Sequence, residues 1–61
     1  MSEYQKNQAE QVIDWADSRI HNGFDSMTVF RQALHKLDQL ALNSYDYRRY
    51  RMRIEAITGV K

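Results

Sequence analysis

The sequence predicts an all-α protein: a helical hairpin extended by a third helical segment, in one domain covering residues 1–61. Three observations carry that expectation. Apolar residues recur at spacings of 3 and 4 over most of the chain, which is the repeat of a helix with one buried face. A capping signature stands at Ser2 and Gln5, and a stop signal at Asn22-Gly23. No stretch shows the alternation of a half-buried strand, and with no proline and only 2 glycines little else punctuates the chain.

The first helix is expected over about residues 3–21. Ser2 followed three residues later by Gln5 forms a capping box, in which each side chain satisfies a free amide donor at the helix start. Ala9, Val12, Ile13, Ala16 and Ile20 then share one face, and Glu3, Glu10, Asp14, Asp17 and His21 the opposite one. Tyr4, Gln8, Gln11 and Trp15 widen the apolar face to about 180°, beyond the arc of about 100° that one neighbour covers. That excess calls for a second neighbour, from within the chain or from outside it, and Tyr and Trp at such an edge are frequent interface anchors. Asn22-Gly23 closes the helix, since glycine accepts the left-handed conformation without a steric penalty.

The second helix is expected over about residues 26–42. Asp25 or Ser26 supplies the cap, the short turn sets the two helices antiparallel, and Met27, Phe30, Ala33, Leu34, Leu37, Leu40 and Ala41 make the strongest periodic pattern of the chain. Asn43-Ser44 marks a break, because short polar side chains compete for backbone groups and favour caps. The apolar stripe also turns by about 100° there, of which heptad drift explains about half. One continuous helix from about 27 to 58 is the alternative. The third segment, about 45–58, is closed by Gly59 and carries Tyr47, Tyr50, Ile54 and Ile57 on one seam, with Tyr45, Arg49, Met52 and Arg53 largely on the far side. The expected core is Val12, Ile13, Ala16, Ile20, Phe30, Leu34, Leu37, Leu40, Ile54 and Ile57.

At 61 residues a chain buries only about 60% of the surface its unfolded form exposes, so the core is thin. There is no cysteine to staple it. Helix packing, or a second copy of the chain, must supply the stability, and a homodimer is expected, in contact through Tyr4 and Trp15 or through the distal half of a long second helix. A hydrophobic share of 43% against 28% charged residues argues for a folded domain rather than disorder. No apolar run approaches the roughly 20 residues that span a bilayer, and Met1-Ser2-Glu3-Tyr4-Gln5-Lys6 has no secretory pattern, so a cytoplasmic protein without membrane contact is expected.

Chemistry-bearing constellations are sparse. His21 and His35 lie 14 residues apart with no second His or Cys at ligand spacing, and Asp17 with His21 offers only one edge of a metal site. Ser2, Ser18, Ser26 and Ser44 sit at helix ends or on polar faces without an oriented base, and the pair Asp14 and Asp17 lies on an exposed face without a pocket. No catalytic residue, cofactor or metal is therefore expected, and the chain reads as a non-enzyme.

Charge is polarised along the chain: residues 1–30 hold five acids against two bases, and residues 31–61 seven bases against three acids. The cluster Arg48, Arg49, Arg51 and Arg53 with its tyrosines suits phosphates and bases. Against it stand a net charge of only +1 and the acids Asp46 and Glu55 within the same segment. A helix-turn-helix reading, with its turn at Asn22 to Asp25, offers only Thr28, Arg31 and Gln32 as readers. A nucleic-acid binder using the Arg-rich last helix is thus the alternative to a protein-binding regulator or adaptor, whose candidate contacts are Tyr4, Trp15, Tyr45, Arg48, Arg49, Met52 and Arg53. In composition and helix pattern the chain is similar to small accessory proteins of bacteria and temperate phages. That resemblance implies action by binding a host or phage protein and assigns no role to any residue.

Overall fold

A computed structural model describes all 61 residues and contains three helices, α1 (Glu3–His21), α2 (Ser26–Asp38) and α3 (Ser44–Thr58), each packed against the other two. The third segment thus completes a three-helix bundle. Contacts across the helices fix its sense: the Met1 amino group lies 3.9 Å from Asp46, and Glu10 meets Arg53, so α3 runs parallel to α1 while α2 runs antiparallel to both.

The ends of α1 follow the local signals. Ser2 Oγ accepts from the Gln5 amide at 3.1 Å, and Gln5 Oε1 accepts from the Ser2 amide at 3.0 Å, completing the capping box. At the other end the Gly23 amide donates to Ile20 O and the Phe24 amide to Arg19 O, the paired bonds of a Schellman turn, with Gly23 at φ 85°. The side-chain contact across that turn is a guanidinium on a ring, Arg19 standing 4.6 Å from the Phe24 centroid. Asp25 then caps α2 by accepting from both the amide and the hydroxyl of Thr28 at 2.9 Å.

The break before α3 is real, and α2 stops earlier than the expected residue 42. Beyond Asp38 the amides of Leu40 and Ala41 donate to Leu37 O and Asp38 O, so the helix tightens into its final turn. Ala41 then adopts φ 53°, a left-handed conformation that costs a non-glycine residue about 1–2 kcal/mol. A continuous helix from 27 to 58 is excluded by this reversal. The physical gain is on α3: a straight rod would carry the Tyr50 and Ile54 seam away from α1, whereas the turn folds it back over both other helices. Asn43 caps the new helix by accepting from the Asp46 amide at 2.8 Å, while its own amide nitrogen donates to the Asp46 carboxylate at 3.0 Å.

The core consists of Ala9, Val12, Ile13, Ala16, Val29, Phe30, Ala33, Leu37, Tyr50 and Ile54. Six of the ten expected core residues are fully buried; Ile20, Leu34, Leu40 and Ile57 lie half-buried around them. Val29, absent from the expected stripe, is only 1% exposed, whereas Met27, placed on that stripe, points largely to solvent. No helix is long and apolar enough to cross a membrane.

Candidate partner-binding surface

On α3, Tyr45, Arg48, Arg49 and Met52 stand at positions i, i+3, i+4 and i+7, which places them on one stripe opposite the buried Tyr50 and Ile54. Tyr45 is 71% and Met52 61% exposed, so the stripe offers two large apolar side chains to solvent. Neither Arg48 nor Arg49 makes an ion pair; the Arg49 guanidinium instead lies 5.7 Å from the Tyr45 ring centroid. Beside the stripe, between the end of α2 and α3, an open cleft of ≈ 780 Å³ is lined by Asp38, Leu42, Tyr47, Arg51 and Glu55 as well as Arg48 and Met52. Burial, and then the neighbouring Asp38, push the Tyr47 phenol above its ordinary value.

The four arginines of α3 divide into two kinds. Arg51 pairs with Glu55 one turn on at 3.3 Å and stands 5.9 Å from the Phe30 ring, covering the core. Arg53 grips Glu10 of α1 with both guanidinium nitrogens, at 2.8 and 3.2 Å, and the same carboxylate accepts from the buried Tyr50 hydroxyl at 2.9 Å. Glu10 thus belongs to the α1/α3 seam, not to an unpartnered acidic back. The Arg53 contact, and next the Tyr50 hydroxyl, hold its carboxyl below the usual value, while burial and Glu10 raise the Tyr50 phenol. Arg53, a candidate partner contact by sequence, is thereby a structural tie. Asp46, expected to repel a phosphate backbone, is only 9% exposed beneath its own helix cap, and Glu55 is paired with Arg51.

No protein-family model matches the chain, and neither the curated proteins nor the solved structures compared with it give a match.

Tyr4 and Trp15 lie apart from the α3 stripe. Tyr4 is exposed near the start of α1. Trp15 is half-buried against the core at the groove between α1 and α2, with the Lys36 ammonium 4.8 Å and the Arg19 guanidinium 5.7 Å from its ring centroid. A hollow of ≈ 470 Å³ beside it is lined by Arg19, Arg31, Gln32, His35 and Lys36 with no carboxylate. Sequence reasoning missed this cationic set because its members come from two helices. The sequence signals are the Trp15 and Arg19 pair at i, i+4 on α1 and Arg31, His35 and Lys36 at i, i+4 and i+5 on α2, of which Arg31 entered only the helix-turn-helix reading. No three His, Cys, Asp or Glu side chains converge as metal ligands would.

Proposed function

We propose that this protein is a small non-enzymatic regulator or adaptor, a bacterial or phage accessory factor working in the cytoplasm, that binds an acidic, partly apolar surface of another protein through the outer face of α3. The observation that carries the reading is the stripe Tyr45, Arg48, Arg49 and Met52: two exposed apolar side chains flanked by two arginines that no carboxylate of the chain engages. Tyr, Met and Arg are the residue types enriched in interfaces, and guanidinium groups outside any ion pair give up no internal carboxylate when they meet a partner's. The open cleft beside the stripe gives a partner side chain somewhere to insert.

The test is affinity capture from a bacterial lysate with immobilised wild-type protein, R48A/R49A and M52A, all three checked for unchanged helical content. The reading expects a protein retained by the wild type and lost from both variants; an unchanged captured set rejects the α3 surface. Binding to duplex DNA is the competing outcome. Four phosphate contacts give a log-log salt slope of about −3.6, but the two unpaired arginines support only about −1.8. Tight DNA binding with a slope near either value, abolished in R48A/R49A, overturns the protein-partner reading.

A second copy is the other occupant with an observation behind it. Glu3, Asp14 and Asp17 are exposed on α1 and form no ion pair. An isologous dimer pairs an acid of one protomer with an arginine of its partner twice over, and these unpaired acids and arginines are of the complementary signs such a contact needs. Sedimentation across micromolar concentrations decides it: a dimer mass dispersed by salt supports this contact, and a monomer mass throughout removes it.

A further inference from the structure

The groove between α1 and α2 is a second surface, separate from the α3 stripe, and its chemistry differs. One half is cationic, with Arg19, Arg31 and Lys36. The other half is a row of amides, Gln8, Gln11 and Gln39, over the half-buried Leu40. Trp15 and Lys36 line both halves and so stand at their junction. No carboxylate lines either half; Asp25 is close enough to Arg31 to feel its field but is already engaged with Thr28 as the cap of α2. The remaining titratable side chain, His35, has a ring nitrogen 3.1 Å from the Gln39 amide nitrogen.

We infer that this groove binds a short single strand of nucleic acid, its phosphates on Arg19, Arg31 and Lys36, a base on Trp15, and the glutamine amides on base edges. Each part answers one requirement. The cations form no ion pair: Lys36 rests on the indole at 4.8 Å and Arg19 lies between the indole at 5.7 Å and the nearer Phe24 ring at 4.6 Å, attractions of about 0.5–1 kcal/mol each at an exposed site, which a phosphate can outbid. When they swing to the backbone, the indole face they covered becomes a stacking platform, and base-aromatic stacking contributes about 1–3 kcal/mol. Amide side chains both donate and accept, as base edges do. From Gln8 to Arg19 the α1 wall runs about 16 Å at the standard helical rise, longer than one nucleotide, which favours a strand over a free mononucleotide. A purely acidic peptide such as poly-glutamate satisfies the cations but brings no aromatic plane to Trp15.

Trp15 is the single tryptophan of the chain, so its fluorescence reports on this groove alone. The experiment titrates the full-length protein, at low salt, with a homopyrimidine strand, the matching duplex, a pyrimidine mononucleotide, inorganic phosphate and poly-glutamate. The single strand is expected to quench Trp15 with a log-log salt slope of about −2, from three phosphate contacts at about −0.7 each. R31A/K36A, whose exposed positions leave the core intact, is expected to weaken strand binding at least tenfold. W15F, followed by anisotropy of a labelled strand, is expected to weaken it less, since a phenyl ring still stacks. R48A/R49A is expected to leave strand affinity unchanged. The inference is overturned by no quenching with the strand, by equal quenching with poly-glutamate or duplex, by a mononucleotide binding as well as the strand, or by strand binding lost in R48A/R49A and kept in R31A/K36A.

Discussion

The Gln5 side chain donates from Nε2 to the main-chain carbonyl of Leu40 at 3.0 Å while its Oε1 accepts from the Ser2 amide. One amide therefore caps α1 and satisfies a carbonyl freed by the premature end of α2. Replacing Gln5 by Ala removes both bonds and is expected to cost about 1–2 kcal/mol of stability in denaturant unfolding. Gln5→Glu keeps the capping acceptor but turns a second oxygen towards Leu40 O, so it should lie between the two. Hydrogen exchange at residues 39–43 is the more direct readout: both variants should speed it, and unchanged exchange would detach Gln5 from the turn.

The Glu10 site predicts an acid limb to the stability curve. Its folded-state value lies below the ordinary 4.5, chiefly through Arg53 and then Tyr50, so its contribution is fully present above the unfolded value and is lost as pH falls from about 5 through the depressed folded one. The pair is partly exposed, and Glu10→Gln should cost only about 1 kcal/mol at neutral pH. The difference between wild type and variant should shrink as pH falls towards 3; a constant difference would remove Glu10 as its source. Tyr50 works in the opposite sense. Its raised phenol contributes stability that is present below the ordinary value of 10.0 and is lost as pH rises through the raised one.

Val29 and Met27 should separate sharply on truncation. Val29→Ala empties a fully buried site and is expected to cost about 2 kcal/mol, whereas Met27→Ala, on an exposed position, should stay within about 0.5 kcal/mol. Leu37→Ala, with a side chain wholly buried, should cost about 2–5 kcal/mol, enough to threaten a domain of this size. Thermal melts of the three variants check the order; equal melting temperatures for the Val29 and Met27 variants would contradict the packing.

Ala41→Gly should stabilise. Alanine at φ 53° carries a strain that glycine lacks, and after the extra freedom glycine gives the unfolded chain the net gain should be about 0.5–1 kcal/mol. Gly23→Ala should lose about 1 kcal/mol through φ 85° alone, since nothing crowds the added methyl group. A lower melting temperature for Ala41→Gly would show that the turn is held in some other conformation in solution.

Most of what is set within four or five residues was legible in the chain; the end of α2 at Asp38, with Ala41 at φ 53°, was not, because no glycine or proline marks it. Ser2 with Gln5, Asn22-Gly23, Asp25, Asn43 and Gly59 mark the helix ends where the structure has them, because caps depend on local hydrogen bonds. The α3 stripe was legible for the same reason: Tyr45, Arg48, Arg49 and Met52 share one helix face opposite a recognisable seam. What a single helix cannot decide is how far it rolls about its own axis. The apolar arc of α2 runs about 160° from Val29 to Met27, and only the positions of α1 and α3 turn Val29 inward and leave Met27 outside. That roll also pairs Glu10 with Arg53, two residues counted by sequence as a solvated acid and a free base; with Arg51 held by Glu55 one turn on within α3, two of the four arginines stay unpaired. It gathers Arg19, Arg31 and Lys36 around Trp15 from two helices. Asp46 is hidden by its cap and the amino terminus. For Val29, Glu10, Arg53 and the cations around Trp15 the partner lies in another element of the bundle, so its identity follows from which faces the core brings together and from no local pattern.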